Sequence, residues 1–334
     1  KAPQRKKSDT ALMDSADVGE GASLNANSDA VYLQDGGSAS AGADPANVTA
    51  APEQDGSSSP QTDEHLLAST SGYLGNLIGK TVDKYLIQSM IGEGGMAVVY
   101  KAHHTIMERT VVIKVMQGWL LSNQKSIERF MRECKVTAKL NHPNIVTVYD
   151  VGAINGKAPY LVMEYIKGEA LADRIQRQGA LSFKTVANIV IQICRGLQEA
   201  HNYGIIHRDL KPANILRIDG KWKLADFGLA TNDLTEVTTA GTIGYLAPNG
   251  PLGQSADLYA IGKILYSMLT GQGVSKFPSI GDSLEAVSDR ERFGRILRVV
   301  NRACHHLPEQ RFDSVPEFRA ALTVAADHAQ IRRR

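Results

Sequence analysis

The hydrophobic period of this chain changes once, near Gly168, and that change limits what it can fold into. Before it, short apolar stretches read as strands. Lys84–Ile91 alternates loosely, and Ala97–Ala102 follows a glycine cluster. Thr110–Met116 (TVVIKVM) is a β-branched run suited to a half-buried strand, and Tyr160–Tyr165 (YLVMEY) is another. Only residues 122–140 interrupt them, with Ile127, Phe130, Met131, Cys134 and Leu140 at helical spacing. After Gly168 the pattern is helical over Leu171–Gln178, Phe183–Tyr203, Ala256–Thr270, Arg290–His305 and Pro316–His328. A small strand-rich half followed by a larger helical half predicts an α+β protein of two lobes with a cleft between them.

Residues 1 to 70 do not share this texture. They are rich in Ala, Ser, Gly, Asp and Asn, and cannot bury enough apolar surface to offset the entropy of ordering, so a disordered acidic tail is expected. Residues 8–79 hold 11 acidic side chains and no Lys or Arg; residues 1–7 hold four Lys and Arg. From Lys80 onward 33 basic face 24 acidic residues, a modest surplus that suits a site handling polyphosphate and equally an ordinary surface. Cys134, Cys194 and Cys304 are far apart and form no CxxC pair, which argues against a disulfide framework or zinc site. They are expected to be small buried residues in a reducing, cytoplasmic setting. The paired histidines His103-His104 and His305-His306 lack a third ligand at convincing spacing and are expected in loops or on the surface. No apolar run is long enough to span a bilayer. The basic end, residues 326–334, closes on three arginines, a cluster often found just inside a membrane helix. A membrane partner is therefore expected only if a further downstream segment anchors the chain.

Three motifs carry chemistry. Ile91–Tyr100 (IGEGGMAVVY) is a glycine-rich turn between strands, whose backbone can approach phosphate oxygens; alone it is weak. Lys114 lies in the next strand inside an apolar run, where an unpaired ammonium would be costly, and Glu133 follows on the helix. Ile206–Leu216 (IHRDLKPANIL) is the strongest signal: Asp209, Lys211 and Asn214 supply a carboxylate, a cation and a metal-ligating amide within six residues. His207 is expected to pack in the core. Leu224–Ala230 (LADFGLA) then places Asp226 after a short strand, where its hard oxygens suit Mg²⁺.

With these motifs, residues 80 to 325 resemble the eukaryotic-like Ser/Thr protein kinase family, most closely its bacterial branch. The resemblance implies a protein kinase fold, with a small antiparallel-sheet N-lobe and hinge over 80–166 and a larger helical C-lobe over 167–325. It implies ATP and Mg²⁺ (or Mn²⁺) as cofactors and Ser/Thr-bearing proteins as substrates, with no nucleic-acid partner. Ile91, Gly92, Glu93, Gly94, Gly95, Val99 and Val112 would surround ATP, with Met163 as gatekeeper and Glu164 to Ile166 as hinge. Lys114, paired to Glu133, would hold the α/β-phosphates. Asp209 would be the catalytic base, Lys211 would contact the transferred phosphate, and Asn214 with Asp226 would bind the metal. Thr242 would steady Asp209 and Lys211, and Asp257 would anchor the catalytic loop from behind. The stretch from Asp226 to Pro248 resembles an activation loop. Its Thr235, Thr238 and Thr239 are candidates for phosphorylation by the kinase itself through a transient homodimer, with Arg208 as the partner of the phosphate.

Four departures stand against the family pattern. Ala97 replaces the third glycine of the turn, and Val112 stands where alanine usually packs on adenine. The usual Ala-Pro-Glu is Ala247-Pro248-Asn249, which would deprive the buried arginine matched by Arg311 of its carboxylate. The segment from Asn249 to Asp257 is short. A nucleotide-binding pseudokinase is the alternative, and a small-molecule kinase of related fold a third reading.

Overall fold

The computed structural model describes residues 76–227, 244–248, 253–281 and 289–327, except the side chain of Glu133. The expected tail over 1–70 therefore lies outside the described residues, as does most of the basic end. A six-stranded antiparallel sheet forms the first lobe, in the order β1-β2-β3-β4-β6-β5. Its strands are β1 (Thr81–Val82), β2 (Tyr85–Glu93), β3 (Ala97–His104), β4 (Arg109–Met116), β5 (Val148–Ile154) and β6 (Ala158–Glu164). Helix α1 (Gln124–Thr137) packs on β5 and β6. Asn123 starts it by accepting from the N–H groups of Lys125 and Ser126, two donors that the first turn cannot satisfy internally.

The second lobe begins with a three-stranded sheet of β7 (Glu169–Ala170), β8 (Ile215–Ile218) and β9 (Lys221–Leu224). Its helices are α2 (Leu171–Gln178), α3 (Phe183–Asn202), α4 (Gln254–Thr270), α5 (Arg290–Ala303) and α6 (Val315–Ala326). Ser182, Asp289 and Ser314 cap α3, α5 and α6. Every residue of α4 from Ala256 to Thr270 is buried, so this helix is the axis on which the lobe packs. The lobes are stitched where Val146 N–H donates to the Leu224 carbonyl (2.8 Å) and Leu224 N–H to that of Asn144 (2.9 Å). No helix among the described residues is long and apolar enough to cross a membrane.

The expected elements appear with ends shifted by a few residues. The helix expected over 290–305 ends at Ala303: Cys304 N–H makes the last i→i−4 bond, to the Val300 carbonyl, and His305 N–H already reaches only three residues back, to Arg302. Four strands escaped the periodicity: the two-residue β1 and β7, β5, whose Asp150 and Gly152 break the apolar pattern, and β8, only four residues long. All three cysteines are buried. His104 corrects the expectation of a surface or loop histidine. It is 4% exposed on β3, its ring edge against Tyr85, and its Nδ1 accepts from the N–H groups of Ile106 and Met107 to close the β3–β4 turn.

Candidate active site

The β2–β3 hairpin forms one wall of the cleft. Gly94 N–H closes its tip onto the Ala97 carbonyl at 2.9 Å. Buried Gln117, just beyond β4, ties that tip down: its amide donates to Glu93 (3.0 Å) and to the Gly94 carbonyl (3.1 Å), and its N–H to the Met96 carbonyl (2.9 Å). A Cβ built at Gly95 meets nothing within 4 Å, so internal packing does not require glycine there. Val99, Val112, Met163 and Ile166 share one buried apolar cluster with Leu216 from the other lobe, while Ile91 packs partly exposed against it. Leu216 was missed, though it stands two residues past Asn214 in the same string. The Glu164 side chain turns away from this cluster, accepting from Lys223 (2.7 Å) and from Thr147 N–H (3.2 Å).

Lys114 pairs across β4 with Val99 of β3 and Leu161 of β6, which aims its ammonium into the cleft. Its Nζ lies 2.9 Å from Asp226 Oδ1. Burial alone pushes the Asp226 carboxyl up, but the charge and hydrogen bond of Lys114, with the charge of Lys211, hold it below the ordinary carboxylate range. Asp226 adopts φ +57°, an uncommon backbone for a non-glycine residue. Glu133 sits on α1, but its side chain lies outside the described residues, so the expected Lys114–Glu133 pair is not among the contacts seen.

The loop before β8 is the most heavily constrained backbone of the site. Asn214 donates to the Asp209 carbonyl (2.8 Å) and to Asp209 Oδ2 (3.0 Å), and Lys211 Nζ lies 3.3 Å from the same Oδ2. Asp209 Oδ1 is buried and has no hydrogen-bond partner among the described residues. Behind the loop, Asp257 (1% exposed) accepts from His207 N–H and Arg208 N–H, both at 2.9 Å, and contacts His201 Nε2 at 2.8 Å. These bonds hold Arg208 at φ +67°. His207 is fully buried as expected, its Nε2 against the Ala225 carbonyl (3.0 Å) and its ring 4.5 Å from that of Phe227. Burial lowers its pKa, which keeps it neutral.

Arg311 is a buried cation held in part by the main chain. It is 2% exposed, donates to the His305 (2.7 Å) and His306 (3.1 Å) carbonyls, and lies 5.1 Å from the Tyr259 ring. Backbone carbonyls and a ring face thus supply part of the partnership a buried guanidinium needs. Asn249, Thr235, Thr238, Thr239 and Thr242 lie outside the described residues.

Residues 85–322 match the protein kinase domain family. The chain is 38% identical over 231 residues to the serine/threonine-protein kinase pkn3 of Myxococcus xanthus, covering 64% of this chain and 40% of that one. It is 35% identical over 269 residues to serine/threonine-protein kinase PknB of Mycolicibacterium smegmatis, covering 72% and 42%. The chain thus spans less than half the length of these curated relatives. The crystal structure of the Mycobacterium tuberculosis PknI kinase domain superposes with a TM-score of 0.59 at 27% identity, over 74% of this chain and 98% of that one.

Proposed function

The chain belongs to the protein kinase domain family, and we propose that it transfers the γ-phosphate of ATP to serine and threonine hydroxyls of proteins. The observation that carries this reading is the asymmetry of Asp209. One carboxylate oxygen is held by Asn214 and Lys211, while Oδ1 has no hydrogen-bond partner among the described residues, which supports it as the acceptor for a substrate hydroxyl. The hydroxyl oxygen bonds to the γ-phosphorus, the bond from that phosphorus to the β–γ bridging oxygen breaks, and the hydroxyl proton passes to Asp209. ADP leaves with the bond's electron pair. Lys211 balances charge on the transferred group and Lys114 on the remaining phosphates.

Asn214 Oδ1 and the Asp226 carboxylate are hard oxygens brought together where the Asn214 carbonyl accepts from Ala225 N–H (2.9 Å). That donor set fits a divalent ion, which commonly takes one or two protein oxygens and completes its shell with phosphate and water. Bound there, Mg²⁺ or Mn²⁺ would neutralise phosphate charge. Val99, Val112, Met163, Ile166 and Leu216 would clasp the adenine, with Ile91 at the edge. The open space at Gly95 supports close approach of the hairpin backbone to the phosphates, since nothing inside the protein excludes a side chain there. Thr235, Thr238 and Thr239 are proposed autophosphorylation sites, modified in trans through a transient homodimer. The Arg208 Nε, with no hydrogen-bond partner among the described residues, supports Arg208 as the phosphate's partner.

Incubation with γ-labelled ATP and Mg²⁺, followed by mass mapping, tests the reading. Label on serine or threonine that disappears with chelator is expected. A folded chain that binds ATP yet labels no hydroxyl, its own or that of a basic protein, would replace the reading with the nucleotide-binding scaffold.

A further inference from the structure

One carboxylate serves three guanidiniums on the hinge side of the cleft. Glu169 on β7 faces Arg174 at 3.6 Å, Arg217 at 3.9 Å, and Arg177. On α5, by contrast, each paired arginine has its own acid: Arg292 with Asp289, Arg295 with Glu291, Arg302 with Glu317. Arg174 and Arg217 also flank Trp222, 5.8 and 5.9 Å from its ring, which orients both. The Arg177 and Arg217 side chains remain 61% and 41% exposed, and neighbouring Lys167 is exposed too. The cluster therefore keeps unspent positive charge, presented as forks that match carboxylates. Its place is set by backbone pairing: Glu169 is opposite Arg217, and β8 starts directly after Asn214. Gly168 permits this, since a Cβ there would lie 1.7 Å from the Arg217 carbonyl oxygen. The arginines thus border the loop that carries Asp209.

We propose that this cluster docks the chain's own acidic segment, residues 9–64. That segment carries 11 acidic and no basic residues, against the basic surplus of the domain it precedes. From Glu64 to Asn76, which leads into buried Leu77, there is enough chain to span up to about 40 Å. Single exposed ion pairs hold little. Covalent attachment raises the effective concentration to roughly millimolar, so several weak pairs together suffice. Docked beside Pro212–Asn214, the segment is a tethered competitor for any protein that approaches this rim. The docking goes beyond the kinase reading and does not depend on it.

The test uses the full chain with Ser28→Cys carrying a thiol-linked fluorescence quencher, and Trp119→Phe so that Trp222 is the sole tryptophan. The native cysteines are buried, and burial pushes the Cys194 and Cys304 thiols up to about 12, so labelling goes to position 28. Trp222 emission is expected to be quenched at low ionic strength and to recover about threefold near 0.5 M salt, where charges are screened within a few ångströms. It should recover equally when Arg177→Glu and Arg217→Glu are combined. Asp9, Asp14, Asp17 and Asp29, all changed to Asn, should also release it while leaving the domain untouched. Quenching that is absent at low salt, or unchanged by both sets of substitutions, overturns the proposal.

Discussion

The two walls of the cleft are held in different ways. The loop carrying Asp209 is fixed from behind by a buried carboxylate, Asp257, which ties the backbone of His207 and Arg208 and the ring of His201. The tip of the β2–β3 hairpin opposite is tied to the sheet by the Gln117 side chain, and at Gly95 it has empty space where a side chain would stand. A fixed base and an adjustable cover are what phosphoryl transfer asks for. The base must stand within hydrogen-bond reach of the hydroxyl, whereas the hairpin need only close over phosphates once they arrive. Uncommon backbone at Arg208 and Asp226 accompanies the fixed wall, where the surrounding bonds over-determine it.

Asp257→Ala should break this contrast most severely. It removes the acceptor of the His207 and Arg208 N–H groups and the partner of the His201 ring, at about 3–5 kcal/mol, a large share of a domain's stability. Chemical denaturation is expected to show that loss, and Asp257→Asn a smaller one with the fold retained. An undiminished midpoint for the alanine variant would mean that the loop is held by something else.

Lowering the pH should act on the same wall. His207 has a lowered pKa in the folded chain, so from about pH 6.5 downward the unfolded chain takes up its proton first and stability falls. Asp226, also lowered, adds a second loss as the pH falls below about 4. Thermal unfolding across pH 4–8 should show the first decline, weakened in His207→Phe, which keeps an aromatic ring without the titrating group.

Gln117→Ala should cost about 1–2 kcal/mol and lower Tm by roughly 2–8 °C, because it releases the hairpin alone. Its KM for ATP should rise more than its kcat falls. Gly95→Ala sharpens the comparison furthest, with stability unchanged within about 0.5 kcal/mol and a raised KM for ATP. Equal loss of stability in Gly95→Ala and Gln117→Ala would refute the idea of a loosely held cover.

The catalytic string was legible because its chemistry is contiguous: Asp209, Lys211 and Asn214 fall in one short run, and a turn of chain brings them together. The strand-to-helix switch near Gly168 was legible for the same local reason. What stayed hidden acts across long separations. Gln117 reaches back to Glu93, Lys223 to Glu164, and His201 across to Asp257; each is an ordinary polar residue until the fold supplies its partner. Arg311 adds main-chain acceptors, the His305 and His306 carbonyls, which no side-chain motif records.

The most direct test of the account is a paired measurement of ATP affinity and phosphotransfer in a single turnover for the native chain and Asp209→Asn. The account predicts unchanged ATP affinity and a transfer rate reduced at least about 100-fold, because only the acceptor for the hydroxyl proton is removed. Transfer at the native rate would contradict the central role given to the Asp209 carboxylate.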